Sequence, residues 1–306
     1  MATAHLRCGE DLRAALPAAG WAGEYLAFSD PVCWGAVSDD GLMAYLAQRA
    51  RVVALHAGLG AEAARLKLGA EYAALHALHR FERVLLWFEH DLWDQAALLR
   101  VLSLLAAPAP GAAPPQDRLF LMPADGRASF AELPAAALAG LAPQPLTPAQ
   151  IEAGAEAWAA FAAPDPTALD TLTRRASPLP HLAAAMRRHL MDLPWRSDGL
   201  ALTERLLLRA IAAGAGDAAA ALAALRAADP VFHVTDLIVL DLVKRLSDGP
   251  RRLVARGLPW RLSPLGEAVL AGQEKHRSPP RFQAGVAVGP EPRWMWDPRA
   301  AGVHHA

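Results

Sequence analysis

Five side chains capable of chemistry fall together in LLWFEHDLWDQ, residues 85–95: Glu89, His90, Asp91, Asp94 and Gln95. The stretch before them is apolar, so an acid and an imidazole at its end need partners if water is excluded. If a helix starts at Asp91, then Asp94 and Gln95, three and four positions on, share its side. Glu89, His90 and Asp91 are then candidate catalytic groups, and Asp94 and Gln95 candidate ligand-binding groups. Such a set could hold a divalent cation through oxygen ligands, with or without His90. It could also grip a ribose or an amine, or run acid–base chemistry with Glu89 and His90. A bare phosphate pocket is disfavoured, because carboxylates at a helix N-terminus compete for its amides and repel the anion. The plainer reading is structural: Asp91 caps the helix and Asp94 favours the positive end of its dipole.

Two more junctions could join this set. The first apolar run ends in CGEDL, with Glu10 and Asp11, and the loop SDPVCWG supplies Asp30, Cys33, Trp34 and Gly35. In a parallel sheet all three junctions face one edge, where ligands of open α/β sheets gather. Glu10, Asp11, Asp30 and Cys33 are therefore candidate ligand-binding residues. As a nucleophile Cys33 would need an activating base, and a small buried thiol is the competing reading. His76 and His79 read as a partly exposed helical face rather than a metal pair. Neither a GxGxxG fingerprint nor a lysine-bearing phosphate loop is present.

The elements that must position these groups are legible in outline. Strand-like runs at 4–8, 24–28, 83–89 and 118–125 alternate with helical spacing at 11–19, 42–55, 61–78 and 91–105, and APAPGAAPPQD at 107–117 reads as a loop. This alternation predicts an α/β domain with a mainly parallel sheet flanked by helices over 1–146. TPAQIEAGAEAWAAF opens a helical connector, 147–196, with a threonine cap and Pro148 in the first turn. Over 197–272, three short helices, the strand-like runs RLVARG and WRLSP, and a closing helix read as a winged-helix-like domain. An irregular tail is expected over 273–306.

Composition narrows the function classes. A net charge of −1 and a pI near 6.8 supply no whole-chain field for a polyanion, although a local basic patch remains open. Two cysteines suit a reducing cytosol and cannot make a four-thiolate zinc site. MATAHLRCGEDLR has no apolar core long enough for export, and charges or prolines interrupt every apolar run, so a cytoplasmic protein with no membrane partner is expected.

WFEHDLWDQ, TPAQIEAGAEAWAAFAAPDP, LPHLAAAMRRHLMDLPWRSDGLALTERLLL and LSPLGEAVLAG together resemble an uncharacterised bacterial family catalogued as domain of unknown function number eighteen thirty-five. The resemblance implies the α/β domain, the helical connector and the winged-helix-like end. It carries the Glu89–Gln95 cluster with it, and Asp30, but no reaction. SPPRFQAGVAV departs from the family pattern, in which an asparagine-glycine segment, an acid and an arginine-tryptophan pair usually stand.

If the winged helix contacts DNA, its reading helix VTDLIVLDLVKRL is poorly equipped: it offers Asp236 and Asp241 and keeps Lys244 and Arg245 for its far end. Arg251, Arg252, Arg256 and Arg261 of the wing could make a phosphate-contacting strip with them. The same arginines could instead solvate the wing, pair with Asp248 and Glu267, or serve packing in a homodimer. Two functional readings follow. In one, a small polar ligand or divalent metal binds at the acidic junction, with or without turnover; in the other, the chain is a nucleic-acid-binding regulator.

Overall fold

In the computed structural model, residues 2–38, 41–108, 116–126, 128–232 and 234–306 are described, so residues 109–115 of the expected 107–117 loop lie outside them. The chain opens with β1 (Thr3–Arg7), α1 (Ala15–Ala18), β2 (Glu24–Ala27), β3 (Gly35–Ala36), α2 (Leu42–Ala57) and α3 (Ala61–His76). There follow β4 (Arg83–Trp87), α4 (Leu92–Ala106), β5 (Leu119–Leu121), α5 (Ala135–Ala139) and β6 (Gln144–Pro145). Five of these strands form one sheet in the order β2-β1-β4-β5-β6, parallel except for β6, which runs against β5.

Period-two alternation explains how β4 serves both faces. Val84 and Leu86 join the larger apolar cluster, while Leu85 and Trp87 join a smaller one with Leu12, Leu16, Phe130 and Leu138. With both faces covered, a central strand reads as a continuous apolar run, as VLLW does in β4, while β1 carries a buried His5 whose Nδ1 accepts from Trp87 Nε1 at 3.1 Å. Helix α4 is buried along nearly its whole length, from Leu92 to Leu102. It packs against α6 (Pro148–Ala162), where Gly154 permits the close approach: a Cβ there would lie 2.3 Å from Leu102 Cδ1. The start of α6 follows the sequence reading, with Pro148 in its first turn and a reciprocal Thr147–Gln150 capping box.

Beyond α6 come α7 (Thr167–Leu172), α8 (Leu182–Leu190), α9 (Leu202–Ala212), α10 (Ala218–Ala228), α11 (Asp236–Ser247) and α12 (Pro264–Leu270). The two wing strands expected between α11 and α12 reduce to one antiparallel bridge, Val254 to Leu262. Pro259 has no N–H to offer a ladder. The N–H of Trp260 is spent on Gly216 O at 2.7 Å. The tail, expected to be irregular, instead forms β7 (Arg281–Ala284), β8 (Val286–Val288), β9 (Trp294–Asp297) and β10 (Gly302–His305). Strand β7 lies between β3, parallel, and β8, antiparallel, while β9 and β10 make a hairpin. Its partner β3 stands near the opposite end of the sequence, and a short strand defined by so distant a pairing carries little local signal. The larger apolar cluster is continuous from Ala4 to Trp296. No helix among the described residues is long and apolar enough to cross a membrane.

Candidate functional site

The parallel sheet aims the ends of β1 and β4 at one edge, and each strand delivers a charge there. Arg7 closes β1 at 4% exposure, and a guanidinium so buried needs compensation. Its Nε and Nη2 donate to Asp11 Oδ1 and Oδ2 at 3.1 and 2.8 Å, Nη2 also to Glu89 Oε1 at 2.7 Å, and Nη1 to Trp87 O at 3.2 Å and to Asp94 Oδ2. Glu89 Oε1 further accepts from Ser129 Oγ at 3.0 Å and Phe130 N at 2.8 Å. The carboxylate of Asp94 folds back over the strand end to accept Glu89 N at 2.7 Å, and Gln95 Nε2 donates to Glu89 O at 2.5 Å.

Asp91 is the cap the sequence indicated. Its Oδ1 accepts from Trp93 N at 2.8 Å and from Asp94 N at 3.2 Å. Its extended backbone starts α4. The capping and network readings thus hold for Asp91, Asp94 and Gln95. They leave oxygens over, since Glu89 Oε2, Asp91 Oδ2 and Asp94 Oδ1 accept no hydrogen bond among the described residues. One ligand-capable oxygen from each of the three acids lies within 4.8 Å of the other two. A cavity of about 270 Å³ opens over them, walled also by Arg7, Cys8, Glu10, Asp11, Ser129 and Thr235.

Electrostatics set the character of this hollow. Burial pushes the carboxyls of Glu89 and Asp94 above their ordinary values; Arg7 pulls both back, and the neighbouring acids add to the rise. Burial alone would lower Arg7, but Asp94, Asp11 and Glu89 outweigh it and hold the guanidinium charged. One guanidinium faces Asp11, Glu89, Asp91 and Asp94, because Glu10 is spent on Arg13 at 2.5 Å. By formal count the wall thus holds more acids than bases, an excess that the upward shifts of Glu89 and Asp94 reduce.

Other expected members lie elsewhere. His90 is not in the cavity wall. Its ring packs edge-on to His181, centroids 6.0 Å apart, and its Nδ1 is buried without a partner among the described residues. Consecutive residues leaving a strand point opposite ways, so the Glu89–His90 acid–base pair is not formed. Asp30 is sealed at 0% exposure, accepting from Arg49 Nε at 2.8 Å and Tyr45 Oη at 2.7 Å. Arg49 also donates to the carbonyls of Pro31, Trp34 and Ala36, so this pair anchors the 30–36 loop rather than facing the hollow. Cys33 is a buried free thiol outside the wall, raised by burial first and Asp91 second, which is contrary to nucleophile activation. His79 Nδ1 contacts His76 O at 3.1 Å, and the two rings share no metal-type grouping among the described residues.

Two of the four candidate nucleic-acid residues, Arg245 and Arg251, are engaged, while Lys244 and Arg252 form no ion pair among the described residues. Lys244 is exposed, but Arg245 pairs with Asp241 at 3.2 Å and lies over the Trp34 ring. Arg251 donates to Lys275 O at 3.2 Å and approaches Glu274 at 3.8 Å, Arg256 reaches Asp248 at 3.5 Å, and Arg252 is half-buried.

Arg7, Ser129 and Thr235 were not anticipated. For Arg7 the signal was present in TAHLRC, where a lone charge ends an apolar strand and, like Glu89, requires a counter-charge. Ser129 shows itself locally only as the cap of a short turn with Glu132, and its reach to Glu89 is tertiary. No protein-family model, curated protein or solved structure matches this chain.

Proposed function

We propose that the α/β layer binds a small polar ligand at the junction of β1, β4 and α4, a divalent cation being the class that suits it best. The observation that carries this reading is the convergence of Glu89, Asp91 and Asp94 within 4.8 Å under an open cavity. Hard cations take carboxylate oxygens in this manner, and a hollow walled by more acids than bases also favours an amine or a hydroxyl-rich ligand over an anion. Arg7 acts as an internal brace: it holds Glu89 and Asp94 by one oxygen each and leaves the other free.

The test is calorimetric titration of the full chain with Mg²⁺, Ca²⁺ and Mn²⁺, with Asp91→Asn alongside. Asparagine caps a helix about as well as aspartate, so this variant keeps the fold while removing a charged ligand. Saturable binding weakened about tenfold or more in the variant supports the reading. Absence of binding by all three cations, or equal binding by the variant, removes the metal form of it.

The alternative, a nucleic-acid-binding regulator with a winged-helix-like end, draws on the order α9, α10, α11, bridge, α12. Because Arg245, Arg251 and Arg256 already have partners, this reading ranks second. Duplex DNA binding at low salt that falls steeply with added salt and disappears in Arg251→Ala/Arg252→Ala would restore it.

A further inference from the structure

Helix α11 carries apolar side chains on two faces. Ile238, Val239, Leu242, Val243 and Leu246 are buried, which accounts for the one stripe a surface helix has to hide. On the other side Asp236, Leu237, Leu240 and Lys244 stay exposed, Leu237 at 39% and Leu240 at 46%. Asp236, Leu240 and Lys244 stand four positions apart in succession and so form one row along the helix. Neither end charge of this row has an ion-pair partner among the described residues, since the acid and base that pair along α11 are Asp241 and Arg245.

The row borders an apolar groove of about 200 Å³ between α11 and α2. Val52 and Leu55 supply the α2 wall, Trp34 lines it too, and Leu55 is 67% exposed. The groove shares no wall residue with the acidic hollow. Leu55, Leu237 and Leu240 on one groove are a cluster, unlike the scattered leucines that any surface carries, and such clusters mark contact surfaces. A DNA-reading helix would present Arg, Lys, Asn or Gln here, whereas this face offers two leucines and an acid beside a single lysine.

We propose that the α2–α11 face pairs two copies of this chain, each α11 lying over the groove of the other in an antiparallel, two-fold arrangement centred on Leu240. The charges select this occupant. Asp236 and Lys244 each stand four residues from Leu240, about 6 Å along the helix axis in opposite directions. Antiparallel alignment therefore brings each Asp236 level with Lys244 of the partner subunit and makes two ion pairs around an apolar centre, the self-complementarity that a two-fold interface requires. Parallel alignment would set like charges side by side. The size of the face sets the strength of the pair. With 16 residues in α2 and 12 in α11, the helices are about 24 and 18 Å long, and side by side they span about 20 Å. Roughly 400–500 Å² per partner falls short of the about 800 Å² of a standard interface, so the dimer is reversible, with a Kd of about 1–100 µM.

Sedimentation velocity of the full chain from about 1 to 500 µM tests this, with the parent expected to pass from monomer to dimer over that range. Leu240→Asp should raise the Kd about tenfold or more, because it places a charge at the apolar centre. Asp236→Lys and Lys244→Asp should each raise it about threefold to tenfold, since either change twice opposes like charges. Together, Asp236→Lys/Lys244→Asp should bring it back to within about threefold of the parent. That recovery is a readout which unspecific association through leucines would not give. All three positions are exposed, and Thr235 rather than Asp236 caps α11, so the variants keep the helix start. A parent that stays monomeric throughout, a dimer indifferent to Leu240→Asp, or a double reversal that associates no better than the single ones overturns the proposal. Duplex DNA binding by a monomeric parent, lost in Lys244→Asp, would overturn it too and give the face to a nucleic acid.

Discussion

Replacing Arg7 by methionine tests the bracing role of the guanidinium. The change keeps the apolar stem of the side chain but removes the guanidinium and its five hydrogen bonds, two to Asp11 and one each to Trp87 O, Glu89 and Asp94. Asp11 is 38% exposed in its side chain and can turn to water. Glu89 and Asp94, at 4% exposure each, cannot. Removing one partner of a buried ion pair typically costs about 3–5 kcal/mol, and that is the loss expected at about pH 7.5. Both acids already lie above their ordinary values of 4.5 and 3.8 because of burial, so without Arg7 they escape by taking up protons. Each proton bound recovers up to about 1.4 kcal/mol per pH unit, so the loss should shrink by roughly half near pH 5.5. Urea unfolding of Arg7→Met and the parent at both pH values gives the comparison directly. A loss below about 1 kcal/mol at the higher pH, or one that grows on acidification, would refute the brace.

Three further outcomes follow from the same geometry. Burial lowers His189 from 6.5 to about 3; since its folded value is depressed, the stability it contributes is present above 6.5 and lost as pH falls toward 3. The parent should therefore lose about 1.4 kcal/mol per pH unit in that window from this group, and His189→Gln should remove that component in pH-dependent denaturation. Asp30→Asn leaves Arg49 buried without its counter-charge and is expected to cost about 3–5 kcal/mol in chemical denaturation while leaving cation affinity unchanged. A methyl on Gly266 would lie 2.0 Å from Leu253 O. Gly266→Ala must therefore displace α12 from that backbone and should lower Tm by several degrees in thermal unfolding.

The strand-to-helix junction was legible because every signal for it is local. An apolar run long enough for one strand, an aspartate before a helical pattern, and a second acid three residues on together specify β4, the Asp91 cap and the side of α4 that Asp94 occupies. Arg7 and Ser129 complete the network from 82 and 40 residues away in sequence, and nothing in either neighbourhood names Glu89 as the partner. Asp30 illustrates the opposite error. The loop after β2 does leave the sheet at the expected edge, but Tyr45 and Arg49, one turn apart on α2, reach Asp30 and turn it into the interior. A pattern of acids at successive strand ends cannot reveal which of them a later helix will claim. The same limit explains the tail, whose β7 is specified by its pairing with β3 and by the pass of Gly285 against the end of α6.

Soaking crystals in Mn²⁺ and collecting anomalous diffraction addresses the central claim without reference to any activity. The expected result is a peak among Glu89, Asp91 and Asp94, within about 2.0–2.6 Å of an oxygen from each. A map with no peak there at saturating Mn²⁺, with the three carboxylates still held as Arg7 leaves them, would show that the cluster is a structural network and nothing more.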